Sequence, residues 1–203
     1  IPIALSSLIA PMLGIASASL FLLPLHVVLM ELLIDPTCSI VLERQPADDD
    51  IMESAPRNLN SSLVNKDLLI RSIFQGLILF LASFGLYYFY LTQFSDVQTA
   101  RSLGLFTLFL GNALLVNVNA SDHEYAFQSF KKLVKDKVMW IINLATIAII
   151  LCLIYTPLNS ILKLDPLSVT EFFLGLGVSI VAVFWIEIVK FIKNIRRKRK
   201  ARA

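Results

Sequence analysis

Residues 138–156 read VMWIINLATIAIILCLIYT, a run without a single charged side chain. An α-helix needs about 20 such residues to cross the hydrocarbon core of a bilayer. Runs of similar character recur along the 203-residue chain, which is 57% apolar and 16% charged, with a mean hydropathy of +0.74. A soluble domain usually carries about 25% charged residues. The composition therefore excludes an ordinary soluble enzyme and predicts a polytopic membrane protein.

The fold class follows from the same runs. Because the sequence shows neither alternation of polar and apolar residues nor periodic glycines, we expect an all-α transmembrane bundle rather than a porin-type barrel. Residues 1–30 carry no charge, and as one helix they would be about 45 Å long, so we expect a turn at Gly14 and Ala16–Ser19. The predicted transmembrane domain covers residues 1–193, ahead of a basic tail at 194–203, and its six spans lie near 1–14, 20–41, 68–91, 102–119, 138–156 and 168–192.

The basic residues predict the orientation. In the six-span arrangement all but two of the 18 Lys and Arg residues lie on one side. The exceptions are Arg101, in a short external loop near 92–101, and Lys163, in another near 157–167. The positive-inside rule then places both ends of an integral plasma-membrane protein in the cytoplasm. The same rule explains the basic end of the chain, so we expect membrane lipid and no nucleic acid among its partners. The start at Ile1, inside an apolar run, predicts that further sequence precedes it.

The second span holds the residues with the clearest chemistry. Glu31 and Asp35 are four residues apart and share one helical face. A carboxylate at mid-span costs about 2.5 to 3.5 kcal/mol, so such a pair marks an ion or proton path through protein. Pro36 leaves the carbonyl of Leu32 without its helical donor, which predicts a span broken near Asp35-Pro36. The set predicts a transported-cation site. The alternative is that Glu31 lies near a water interface and Asp35 caps a kink.

Other polar residues in the spans are weaker candidates. Asn112 follows Gly111 and is the best additional ligand. We interpret His26 as a satisfied core or interfacial histidine, and Cys38 and Cys152 as small core residues. The chain has no nucleotide-binding motif, so we expect neither catalytic residues nor a bound cofactor. The remaining polar side chains are expected to form hydrogen bonds between helices; they are Ser6, Ser7, Gln75, Asn117, Asn143 and Thr146.

Three segments carry a family resemblance. Residues 24–39 read PLHVVLMELLIDPTCS, and residues 45–57 read QPADDDIMESAPR. Together they resemble the sixth transmembrane helix and the following loop of cation-translocating P-type ATPases of the bacterial branch. Residues 187–191, EIVKF, are similar to the final helix of those pumps. The resemblance implies that the six predicted spans are helices five to ten.

The resemblance also implies roles for single residues. Asp35 matches the ion-binding Asp of an unwound sixth helix, Glu31 falls where calcium pumps carry an Asn ligand, and Asn112 matches an Asn of the eighth helix. Ser6 and Phe109 stand where calcium pumps carry glutamates. We therefore expect one transported ion per cycle, which is calcium, another metal ion or a proton.

The resemblance further implies that the ATP-dependent steps belong to another part of the pump. The phosphorylation loop DKTGT, the loop TGES and the segment PEG do not occur in this sequence. The implied partner is the N-terminal remainder of the pump, which would use ATP and Mg, and this chain should be inactive alone. Two other interpretations remain open at this point. One is part of a secondary cation transporter, which usually shows an internal repeat. The other is a membrane assembly or interaction subunit, in which Glu31 and Asp35 pair with a partner helix.

Overall fold

The structure is a computed structural model that describes residues 1–43, 66–119 and 137–200. Within these ranges the chain is helical and contains no strand, which confirms the all-α prediction. The helices, with a single 3-10 turn at Ser17–Ser19, are α1 (Pro2–Met12), α2 (Pro24–Glu43), α3 (Lys66–Phe94), α4 (Val97–Asn119), α5 (Lys137–Tyr155), α6 (Leu158–Leu162) and α7 (Val169–Lys200). The acidic loop motif at 45–57 lies outside the described residues.

Three of the described helices are long and apolar enough to cross a membrane: α2, α3 and α4. Shorter apolar helical stretches occur at Pro2–Met12, Ile141–Tyr155 and Val169–Trp185. These lengths support a helical membrane bundle, while the number of six spans stays a prediction. Helix α7 has 32 residues and continues into the segment predicted as a tail. At about 1.5 Å per residue it is about 48 Å long, which exceeds the hydrocarbon core of about 30 Å.

The predicted turn between the first two helices is present. Gly14 has a φ of +71°, a left-handed conformation that side chains with a Cβ rarely adopt. Its backbone N–H donates to the carbonyl of Pro11 at 3.1 Å, and that of Ile15 donates to Ala10 at 3.0 Å. The 3-10 turn at Ser17–Ser19 follows directly. The charge-free stretch therefore folds as two helices joined by a tight connection.

Helix α4 forms the centre of the bundle. Every residue from Ala100 to Gly111 is buried, and the helix packs against α3 and α7. Gly104 permits a close approach of neighbouring segments, because a Cβ at this position would lie 2.5 Å from Phe21 Cε2 and 3.1 Å from the carbonyl oxygen of Ser83. The buried stretch thus fixes where the surrounding helices lie.

Helix α2 differs from the prediction at Pro36. It runs as one helix from Pro24 to Glu43, so the predicted break near Asp35-Pro36 is not present. Pro36 cannot donate to the carbonyl of Leu32, and the helix continues past it without that bond. The Thr37 hydroxyl donates to the next carbonyl, that of Leu33, at 2.7 Å. Membrane helices tolerate a proline where neighbouring helices and polar groups surround it.

The start of α4 also differs from the prediction. Arg101 is not in an external loop but lies on α4, which begins at Val97, and it is only 1% exposed. The helix begins early because Asp96 caps it: its carboxylate accepts from the backbone N–H of Gln98 at 3.0 Å and from the Thr99 hydroxyl at 2.7 Å. The bond from the Thr99 hydroxyl, helped by the backbone N–H groups of Thr99 and Gln98, lowers the pKa of Asp96.

This cap predicts a pH dependence. Because folding lowers the pKa of Asp96 from its ordinary value of 3.8, its stabilisation is complete above that value and is lost as the pH falls through the lower folded pKa. Asp96→Ala should cost about 1 kcal/mol at neutral pH. Chemical unfolding in detergent at pH 7 and pH 3 measures both effects. A difference between wild type and Asp96→Ala that grows on acidification would contradict the assignment.

The packing of α4 predicts the cost of a methyl group. Gly104→Ala should destabilise the bundle by about 1 to 3 kcal/mol, because Phe21 and the Ser83 carbonyl must move. Gly85→Ala is the matched control, since a Cβ there meets nothing within 4 Å. Thermal unfolding in detergent should show a lower midpoint for the first variant only. Equal midpoints for the two variants would show that α4 is not tightly packed at this position.

Candidate cation site

Glu31 and Asp35 lie on one exposed face of α2. Both side chains are exposed, and because α2 is continuous the two carboxylates share a face, as their spacing predicts. Their neighbours on this face are apolar and exposed as well, including Val28 and Leu32. The two carboxylates therefore stand in an apolar surface rather than inside the described bundle.

Asn112, on α4, faces a different side of α2 from the one that carries the two carboxylates. It is half-buried and lines a small cavity to which α2 contributes Leu33, Ile34 and Thr37. Its Nδ2 atom donates to the carbonyl of Leu108 at 2.9 Å, which leaves Oδ1 as the atom suited to a cation. The α2 residues that line this cavity are not Glu31 and Asp35. In this conformation the structure brings the two carboxylates together but does not join Asn112 to them.

The described residues offer few ligands for a cation at this site. Among residues 1–43, 66–119 and 137–200, no group of three or more His, Cys, Asp or Glu side chains is placed to hold a metal ion. A calcium ion takes 6 to 8 oxygens, so two carboxylates from α2 account for only part of such a shell. The carbonyl of Leu32, to which Pro36 cannot donate, is an additional oxygen on the same helix.

Polar residues between helices are mostly paired. Asn117 and Asn143 exchange amide hydrogen bonds of 3.0 and 3.1 Å between α4 and α5, and Gln75 does the same with Asn119 at 2.9 and 3.1 Å between α3 and α4. These pairs confirm the interhelical role predicted for Gln75, Asn117 and Asn143. Arg71, one turn before Gln75, also donates to Asn119 Oδ1 at 2.9 Å.

The hydroxyl groups divide between two roles. The hydroxyls of Thr146 on α5 and Thr37 on α2 are 3.2 Å apart, so Thr146 also forms the predicted interhelical contact. Ser6 and Ser7 instead donate to the carbonyls of Ile3 and Ala4 in their own helix, both at 2.9 Å. For these two serines the recorded bonds are local rather than interhelical.

Arg101 is the residue that sequence reasoning placed incorrectly. Its Nε and Nη2 atoms donate to the carbonyl of Leu20 at 3.0 and 2.9 Å, and Nη1 donates to the carbonyl of Lys163 at 2.9 Å. The guanidinium therefore joins the α1–α2 connection to the α6–α7 connection. The signal that could have located it was a lone charge directly ahead of a long apolar run.

His26 joins the same two regions. Its Nε2–H donates to the carbonyl of Leu162 at 2.7 Å, and its Nδ1 accepts from the backbone N–H of Leu23 at 3.2 Å. The side chain is 1% exposed. These bonds confirm the interpretation of a satisfied core histidine. Both cysteines are free thiols, but Cys38 is half-buried and Cys152 is exposed, so neither is a fully buried core residue.

A helical membrane bundle with two carboxylates in one of its apolar helices is typical of ion-transporting membrane proteins. A model of the family described as "Cation transporting ATPase, C-terminus" matches residues 19–192, which is most of the chain, and the chain belongs to this family. It is the C-terminal transmembrane part of a cation-transporting P-type ATPase. This match favours the pump over a secondary transporter or an assembly subunit. A search of curated proteins finds no match.

Proposed function

We propose that Glu31 and Asp35 supply oxygen ligands to the cation that the pump transports. The observation that carries the proposal is the placement of both carboxylates on one exposed face of α2, beside the exposed apolar side chains of Val28 and Leu32. Each would cost about 2.5 to 3.5 kcal/mol against lipid, so this face is suited to contact further protein and a cation. The N-terminal remainder of the pump is proposed to pack against this face, and it would bind ATP and Mg.

Two further ligands complete the proposed site. The carbonyl of Leu32 has no helical donor from Pro36, and Leu32 lies one residue after Glu31 and three before Asp35. Asn112 would contribute Oδ1, since its Nδ2 is held by Leu108. Asn112 lines a cavity with Leu33, Ile34 and Thr37, on another side of α2, so its participation requires a local change of α2 around Pro36 during the transport cycle.

The composition of the bundle supports a small number of ions. Ser6 is buried and donates to the carbonyl of Ile3, and Phe109 is buried in the apolar core. Neither position offers a carboxylate, so the proposed stoichiometry is one ion per cycle. The proposed ion is calcium, another metal ion or a proton, and the proposed branch of the family is the bacterial one.

The proposed orientation places both ends of the chain in the cytoplasm of a cell and the protein in the plasma membrane. The bonds of Arg101 support an alternating up-and-down path, because they bring Leu20 and Lys163 to the N-terminal end of α4. These connections therefore lie at one end of the bundle. The predominance of basic residues in the other connections makes this the external end.

The proposed site is tested by Asp35→Asn in the complete pump. The change keeps the side-chain volume and removes the charge, so it should abolish cation-dependent phosphorylation while the protein still folds. Glu31→Gln should weaken the apparent cation affinity by about tenfold, since the loss of about 1.4 kcal/mol has this effect. Phosphoenzyme formation against cation concentration measures both.

Glu43→Gln is the matched control for the site. It removes one exposed carboxylate from the same helix, beyond the apolar stretch Pro24–Val41, and should leave the cation dependence unchanged. Cation-stimulated phosphorylation of Asp35→Asn at wild-type affinity would refute the site. Two calcium ions bound per phosphoenzyme would refute the stoichiometry.

The orientation is tested by labelling single cysteines in intact cells, in a variant that lacks Cys38 and Cys152. A cysteine at Gln98, which is exposed near the start of α4, should react with a membrane-impermeant maleimide. Cysteines at Ser61 and Lys131 should react only after the membrane is permeabilised. The reverse pattern would show that the bundle has the opposite orientation.

A further inference from the structure

The start of α2 is held at two points by buried polar side chains. Ahead of the helix, the carbonyl of Leu20 accepts from two nitrogens of Arg101 at 2.9 and 3.0 Å. Inside its first turn, His26 donates to the carbonyl of Leu162 at 2.7 Å. A third nitrogen of Arg101 donates to the carbonyl of Lys163, which is the next residue after Leu162. We call these two side chains and their three carbonyl acceptors the α2 latch.

The side chains of the latch are buried within the bundle. Arg101 and His26 are each 1% exposed. Tyr87 on α3 donates to the carbonyl of Ser19, and its ring stacks on Phe21 with a centroid distance of 5.0 Å. The segment immediately before α2 is therefore tied to α3, α4 and the α6–α7 connection. It has little freedom to move relative to them.

The guanidinium is chemically suited to this role. Arginine offers five N–H donors in a rigid plane, so one side chain can bind two carbonyls that belong to different connections. A lysine has a single ammonium group and cannot reproduce this fork. The carbonyls of Leu20 and Lys163 are thus joined through one planar group.

The latch determines the rotation of α2. Asp35 lies nine residues after His26, which is about 2.5 helical turns, so the two side chains point to opposite sides of the helix. Burying the imidazole against Leu162 therefore turns Asp35 to the exposed face, where Glu31 also lies. The same anchor fixes the height of the carboxylates, which lie about 7.5 and 13.5 Å further along the helix axis.

We propose that Arg101 and His26 are positioning residues for the cation site: through the latch they set the height and rotation at which α2 presents Glu31 and Asp35. This inference rests on the proposed function of those two carboxylates. Without the latch, α2 would occupy several positions, and only a fraction of the molecules would hold the carboxylates in the conformation that binds the cation. The apparent affinity then falls, while the pump at saturating cation still forms its phosphoenzyme.

The experiment measures phosphoenzyme formation against cation concentration in the complete pump. Arg101→Met and His26→Phe should each raise the half-saturating cation concentration by about tenfold, equivalent to about 1.4 kcal/mol, with a maximum within about twofold of wild type. Arg101→Lys should behave like Arg101→Met. His26→Gln should recover part of the affinity, because its amide nitrogen can donate to the carbonyl of Leu162.

Lys163→Met is the matched control. It removes a positive charge from the same end of the bundle. Because Lys163 takes part in the latch only through its backbone carbonyl, the cation dependence of the Lys163→Met pump should equal that of wild type. An effect as large as that of Arg101→Met would overturn the proposal in favour of a general charge effect on the cation.

The other outcomes separate positioning from folding. The proposal is overturned if folded Arg101→Met and His26→Phe pumps reach half-maximal phosphoenzyme at the wild-type cation concentration. This holds even if their maximal phosphoenzyme level is lower. If Arg101→Met does not reach the membrane folded, the His26 variants decide the question by the same criterion. Failure of every latch variant to fold overturns the proposal too, because the residues then serve folding alone. Asp35→Asn with an intact latch tests the cation site separately.

Discussion

The bundle depends on the burial of α4 from Ala100 to Gly111. An uninterrupted buried stretch requires neighbours on every side. Two of them approach closely at Gly104, where no side chain separates α4 from Phe21 and Ser83. The guanidinium of Arg101 extends this constraint beyond helix packing, since it fixes two connections to the same helix. The positions of α2 and its carboxylates follow from these contacts.

Much of the architecture could be predicted from the sequence. Long apolar runs separated by polar segments specify membrane helices, because a backbone in lipid must satisfy its own hydrogen bonds. The turn at Gly14 was predictable because one helix over the charge-free stretch would have been too long for the bilayer. Glu31 and Asp35 were assigned to one face by spacing alone, and a continuous α2 confirms that shared face.

Other features could not be predicted, because they depend on contacts between distant residues. A proline in the sequence indicates a missing donor at Leu32, but whether the helix breaks there depends on its packing against other helices, and α2 continues through Pro36. A single arginine near the predicted start of a span can lie either in the preceding loop or in the helix. Its buried position follows from carbonyls at Leu20 and Lys163, which lie far from it in the chain.

The unequal burial of the helices has a consequence for local opening. Amide hydrogens exchange with solvent through local unfolding, and elements with few buried contacts open at the lowest free energy. Helix α1 buries only Ser6 and Ala10, whereas α4 is buried over most of its length. Exchange in α1 should therefore proceed independently of α4, whose central amides report the opening of the whole bundle. Helix α1 is thus an element that can loosen without unfolding the rest of the bundle.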